Sequence, residues 1–346
     1  SGTGGSLVKV GTGALTLSGA NTYTGGTTLR QGRLNVGHSQ ALGGGTLSMD
    51  DDTTLGFSAD GLTIANTIHL TGQLDPIIDT GAFSGTLSGA ISGGGFITKE
   101  GTGTLTLSGA NTYTGATNVA QGTLRAGAAN TFSAASAHSV AAGATLDLAG
   151  FNQTLASLAN SGTVSLAGAA AGTTLTVNGN YVGNNGVLKL GTALNGTGPS
   201  DRLVINGGTA SGKTSVQIAN LGGLGALTTG NGIEVVTAQN GAKTTAQTTK
   251  DAFSLAGGHV DAGAYEYRLY AADASGAGES WYLRSSTNAG VTPANPAGVP
   301  VATYRAEASL YATLPNQLRQ GSLAMLGDLR KRVGDDDVKG TAPSAT

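Results

Sequence analysis

"GTGALTLSGANTYTGGTTLRQGRLNV", residues 11–36, returns at 101–126 as "GTGTLTLSGANTYTGATNVAQGTLRA". Eighteen of the 26 positions are identical, and Lys9 ahead of the first copy is matched by Lys99 ahead of the second. Self-similarity at a fixed spacing signals stacked repeats. Within each copy the apolar residues alternate: Leu15 and Leu17, then Leu29, then Leu34 and Val36, separated by "SGANTYTGG" and "RQG". Period two over three to five residues, bounded by Gly, Asn and Ser, predicts short strands that share one interior. The density of Gly and Thr excludes helix.

Outward from the repeats the same texture continues through Leu146 and Leu148, Leu155 and Leu158, Val164 and Leu166, Leu175 and Val177, and Val187, Leu188 and Leu190. A spacing of about ten residues also suits a β-sandwich. Length and asymmetry favour an all-β, right-handed parallel β-helix. Rungs of roughly 20 to 25 residues would place about four rungs in the 90-residue period. Stacked about 4.8 Å apart, they make residues 1–200 a rod. Such a rod wants small apolar residues in a thin interior and Gly, Asn, Thr and Ser in its turns. Asn21, Asn111, Tyr23 and Tyr113 fall in the long turn and read as turn-forming residues.

The composition agrees. Gly accounts for 59 of 346 residues, charged residues for only 11%, and the net charge is −2. No basic footprint for nucleic acid is present. The chain has no cysteine, which removes disulfides, thiolate metal sites and cysteine nucleophiles together. No stretch has the length of a membrane helix, and "SGTGGSLVKVGTG" lacks the features of a signal peptide. The segment is therefore expected to begin and end inside a longer protein.

From about residue 201 aromatic residues cluster in "AYEYRLYAADASGAGESWYLRS", 264–285. Tyr265, Tyr267 and Leu269 fall on one face, and Trp281 and Leu283 repeat the alternation after a Gly-containing turn. This predicts a β-hairpin that caps the open end of the rod, where unpaired edge groups would otherwise invite association. Residues 286–302 read as a linker. Residues 303–333 are the one helical stretch, with Leu310, Leu314, Leu318, Leu326, Leu329 and Val333 at three- and four-residue spacings and with breaks or bends expected at Pro315 and Gly321. Residues 334–346 read as a solvated tail.

Chemical signals are sparse. "GGTASGKT", 207–214, satisfies the phosphate-loop pattern, but "SVQIANLGG" after it reads as a strand, whereas the motif needs a helix N-terminus there. It predicts a Gly turn between rungs with Lys213 toward solvent, and no nucleotide or other cofactor is expected. His38, His69, His138 and His259 lie too far apart in sequence for a local metal site. Asp50, Asp51 and Asp52 read as a solvated turn. No nucleophile setting occurs, so neither catalytic nor metal residues are assigned.

The two "KxGTGxLTLSGANTYTG" copies resemble the passenger-associated repeat of bacterial autotransporters, the type V secretion proteins. "GATLDLAGFNQTLASLANSGTVSLAG" is similar to the rungs that follow it. "SDRLVINGGTASG", "VDAGAYEYRLY" and "WYLRS" resemble a pertactin-like C-terminal passenger region, and "YRAEASLYATLPNQLRQGSLAMLGDLRKRVGD" looks like the junction into a translocator barrel. The resemblance implies a passenger stalk exported through periplasm and outer membrane to the cell surface or beyond, with residues 201–285 as an autochaperone. It also implies an adhesin or virulence effector upstream, the protein's own translocator β-barrel downstream and a ligand on the host-cell surface or matrix. The expected state is a monomer. In a second reading the stalk serves a subtilisin-type serine protease whose catalytic domain lies upstream. Under either reading the absence of cysteine suits passage of an extended chain through a narrow pore.

Overall fold

Alternating apolar residues can share one interior only if successive strands turn corners around it, and that is the architecture seen. A computed structural model describes residues 4–244, 250–287 and 300–332. Over most of its length the chain is a parallel β-solenoid whose strands stack in columns. One column contains Leu7–Lys9, Thr27–Leu29, Leu47–Met49, Ile68–Leu70 and Ile91–Gly93, in the register Leu7, Thr27, Leu47, Ile68, Ile91. A second carries the inward ladder Leu15, Leu34, Leu55, Ile78, Lys99, Val119, Val140, Asn160. A third carries Leu62, Gly85, Leu105, Leu124, Leu146, Val164, Leu188, Val216. Most of these apolar side chains are fully buried in one continuous core.

The register refines the expected count of about four rungs per repeat. From Leu7 to Ile91 four rungs consume 84 residues, so a 90-residue period ends one face further on. Strands Leu7–Lys9 and Ala14–Leu17 of the first copy lie in the first and second columns. Their counterparts Ile97–Glu100 and Thr104–Leu107 lie in the second and third. Identical motifs thus face different directions around the axis. Their packing differs too: Leu105 and Leu107 are fully buried beneath Gly85–Leu87, whereas Leu15 and Leu17 are only partly covered, with no strand stacked before Ala14–Leu17 among the described residues.

Bulky corners need empty space beside them. Gly85 lies against the ring of Phe57, and a Cβ there would stand 2.2 Å from Phe57 Cε1. Gly56 lets Arg33 pass over it to reach Asp79 two rungs away at 2.7 Å.

Toward the C-terminal end the rungs widen beyond the expected 20 to 25 residues, because corners straighten and loops lengthen. Tyr181–Thr192 and Ala210–Asn220 run through two columns as single strands, with an irregularity between Asn184 and Gly186. Val216 stacks on Leu255, 39 residues later. The column Gln153–Leu155, Thr174–Val177, Arg202–Asn206, Ile233–Gln239 is parallel throughout. It then accepts Trp281–Arg284 antiparallel, followed by Tyr265–Ala271 and Val260–Ala262. The hairpin thus becomes a three-stranded antiparallel end to the solenoid.

Helix α1, Ala308–Arg332, runs without interruption through Pro315 and Gly321, contrary to the breaks expected there. Pro315 forfeits one backbone hydrogen bond among many, and Leu, Ala, Gln and Met around it are good helix formers. Leu310, Tyr311, Leu314, Leu318 and Leu326 stand in solvent. Most of the expected linker, Val333 and the expected tail lie outside the described residues.

Candidate functional site

The 11–36 motif builds its own interior polar contacts. Lys9 and Lys99 share the inward phase of the apolar ladders, so their stems pack inside while their ammonium groups must find acceptors. Lys99 Nζ donates to the carbonyls of Glu100, Gly101 and Gln121 at 2.7, 2.8 and 3.1 Å. Lys9 Nζ repeats this with Val10, Gly11 and Gln31 at 3.1, 2.6 and 3.0 Å. Burial pulls Lys99 down to about 8, against the opposing pull of Asp79 and Glu100. Tyr23 and Tyr113 point inward from the long turn, contrary to a purely turn-forming role, and each hydroxyl meets Thr27 or Thr117 at 2.7 Å. Burial pushes Tyr113 up to about 12. Asn21 and Asn111 do bridge turns, donating to the carbonyls of Ala41 and Thr131 on the next rung.

At the cap, the five residues singled out in the sequence are brought together by the pairing of Leu269 with Leu283 and of Ala271 with Trp281. Tyr267, Trp281 and Leu283 are buried, whereas Tyr265 and Leu269 are partly so. The Tyr267 hydroxyl donates to the Ala226 carbonyl at 2.6 Å and accepts from the Ala226 N–H at 2.8 Å, and burial raises its pKa. Trp281 Nε1 donates to Thr244 Oγ1 at 3.0 Å. Its ring meets Phe253 edge-on at 5.3 Å, and Phe253 stacks on Tyr181 at 5.7 Å. An aromatic chain therefore runs from the last rungs into the cap, a geometry that adds to the area buried.

Sequence reading missed Arg284. Its side chain is fully buried, with Nε donating to the Asn231 carbonyl at 2.8 Å and Nη2 to the Ala272 carbonyl at 2.6 Å. The guanidinium lies 5.3 and 5.5 Å from the ring centroids of Tyr270 and Tyr282, a cation–π arrangement. Burial lowers its pKa. In the sequence it was one arginine at a strand end, and only the cross-strand pairing of Tyr270 with Tyr282 reveals its cage.

The remaining candidates scatter. Gly207 and Gly208 take positive φ in a turn, and Lys213 stands within strand Ala210–Asn220, 3.4 Å from Asp251, with no helix N-terminus to hold a phosphate. His38 accepts from the Gln40 N–H, and His69 contacts Ser92. His138 is fully buried, its Nδ1 at 3.0 Å from the Ser136 carbonyl. Asp50 accepts from Thr71 Oγ1 and Asp51 from the Leu74 N–H, so the acidic turn braces the next rung. His259, Asp261 and Glu266 form the one group among the described residues whose ligand atoms lie within 4.8 Å of one another. Arginines already neutralise it: Arg305 Nε stands 3.4 Å from Asp261, and Arg268 Nε 2.5 Å from Glu266. We read it as an ion-pair cluster.

Comparison with known proteins finds family matches along much of the chain. Residues 153–269 match the family described as Autochaperone Domain Type 1, and residues 7–36 and 97–126 each match the Passenger-associated-transport-repeat. The adhesin BmaC autotransporter of Brucella suis is 36% identical over 95% of the chain, which covers 9% of that protein. The probable autotransporter YfaL of Escherichia coli is 45% identical over 39% of the chain and 10% of its own length. The autotransporter adhesin AIDA-I of Escherichia coli is 36% identical over 47% of the chain and 11% of its own length. The segment thus spans about a tenth of each of these relatives. Its repeats, its solenoid and its autochaperone match together give the chain the signatures of a bacterial autotransporter passenger.

Proposed function

We propose that this segment is the stalk and folding nucleus of a larger exported protein, holding an adhesive region away from the bacterial surface. The observation that carries the reading is one continuous solenoid that joins two transport repeats to an autochaperone match and ends in an antiparallel cap. On this reading the partners are the protein's own translocator β-barrel and a host-cell or matrix ligand bound by other regions. The place of action is the outer surface, reached through the periplasm and outer membrane. The adhesive role is drawn from the names of BmaC and AIDA-I. The relatives described above lend no support to the protease reading. The stalk acts as a monomer and carries no reaction of its own.

The test is an epitope placed ahead of Leu7 in the full-length protein and probed on intact cells. Deleting residues 153–287 should abolish the surface signal while the barrel still inserts. An undiminished signal would overturn the folding role. Equal binding to host cells with and without the passenger would overturn the adhesive one.

A further inference from the structure

The match to the autochaperone family ends at residue 269, and the hairpin ends at Arg284, yet the cap is not closed there. Residues 301–305, which lead into α1, lie between two of its edges. Val301 and Ala302 pair antiparallel with Thr287 and Ser286. The Thr303 N–H donates to the Ser285 carbonyl at 2.8 Å. On the opposite side the Glu266 N–H donates to the Thr303 carbonyl at 3.0 Å, Thr303 Oγ1 donates to the Glu266 carbonyl at 2.5 Å, and the Arg305 N–H donates to the Ala264 carbonyl at 3.0 Å. Tyr304 stacks on Tyr265 at 5.4 Å, and Arg305 pairs with Asp261. Every residue of this short run makes a specific contact with the cap.

We infer that residues 301–305 are a strap that completes the folding nucleus, and that the cap closes only when this strap leaves the translocator and docks. The inference rests on the proposed stalk function. An unpaired buried backbone group is unfavourable; without the strap the Glu266 N–H and the Ser285 carbonyl lose these partners, the Tyr265 ring loses its cover and Asp261 loses Arg305. A strap held in an extended path inside a barrel cannot make these bonds, because they need the segment alongside Ser285 and Glu266 at once. Docking would therefore convert emergence of the junction into a folding signal.

The experiment uses the full-length protein with its barrel. Thr303→Pro removes both the N–H and the hydroxyl, and Tyr304→Ala with Arg305→Ala removes the stack and the ion pair. The expected results are amide exchange at Glu266 on the order of tenfold faster in the displayed passenger, and a several-fold fall in protease-resistant passenger at unchanged barrel insertion. Tyr304→Phe with Arg305→Lys should recover both, which separates docking from a general failure to fold. Unchanged Glu266 exchange and unchanged resistance in the first two variants would overturn the strap while leaving the stalk function intact. If even the unaltered passenger never reaches the surface, the stalk reading itself fails.

Discussion

His138 shows how a single buried side chain makes this fold sensitive to acid. Burial holds its imidazole at about 4, against an ordinary 6.5, and the Ser136 carbonyl only partly offsets this. Above pH 6.5 the ring is neutral in both folded and unfolded chains. Between 6.5 and 4 the unfolded chain takes up a proton that the folded chain refuses, so stability is lost over that window, by up to about 3 kcal/mol. Melting of the wild type should fall from pH 7 to pH 4 by more than melting of His138→Phe; parallel curves would refute the assignment. Lys99 acts with the same sign in an alkaline window. Its folded value of about 8 lies below the ordinary 10.5, so stability should rise as pH climbs from 8 toward 10.5 and the burial penalty is relieved. Lys99→Met should remove that rise, and chemical denaturation at pH 8 and 10 measures it. Packing is equally local: Gly85→Ala should cost ~1–3 kcal/mol because its methyl would strike Phe57. Adding Phe57→Leu should restore most of the loss.

Among the elements, the cap hairpin concentrates the aromatic burial. Trp281 is 2% exposed and packs edge-on against Phe253. Trp281→Ala should therefore cost about 3–5 kcal/mol, read as a lower urea midpoint, and should lower secretion yield with it. Little change in the midpoint would mean that the cap is not the stable nucleus. Helix α1 contrasts with the hairpin, because Leu310, Leu314, Leu318, Leu323 and Leu326 are exposed and no packed face holds it among the residues whose side chains are described. A helix of this kind takes most of its stability from what covers it, so α1 should exchange its amides much faster than the cap strands in the isolated segment.

At the scale of the whole molecule, stacked rungs contact mainly their neighbours, so stability is close to a sum of rungs and interfaces. The aromatic chain Tyr181, Phe253, Trp281 ties the last rungs to the cap. Limited proteolysis should accordingly trim from the N-terminal rungs and leave a resistant C-terminal core. Survival of an N-terminal fragment instead would reverse the assignment of the nucleus. Rung length sets what can be removed: Thr27 stacks under Leu47, so excising residues 27–46 keeps every later strand on its face. That variant should melt cooperatively with an unchanged strand signal by circular dichroism, whereas excision of 27–40 should not.

Period-two alternation identified short strands with one buried face, a pattern that also suits a β-sandwich, and it was length and asymmetry that favoured the solenoid, because a rod of stacked rungs buries one apolar face per short strand along its whole length. The alternation of Tyr265, Tyr267 and Leu269 with Trp281 and Leu283 likewise made the hairpin legible, since an antiparallel pair with one buried face writes its register into the chain. Local patterns carry no information about how many residues each corner absorbs. The stacking register alone therefore decided that the second repeat copy is turned by one face, that Lys99 points inward among Ile78 and Val119, and that Arg284 is caged by Tyr270 and Tyr282. The strap formed by residues 301–305 was hidden for the same reason. Its partners at Ser285, Glu266 and Ala264 are distant in sequence, and the bonds that hold it run largely through backbone groups that every residue possesses.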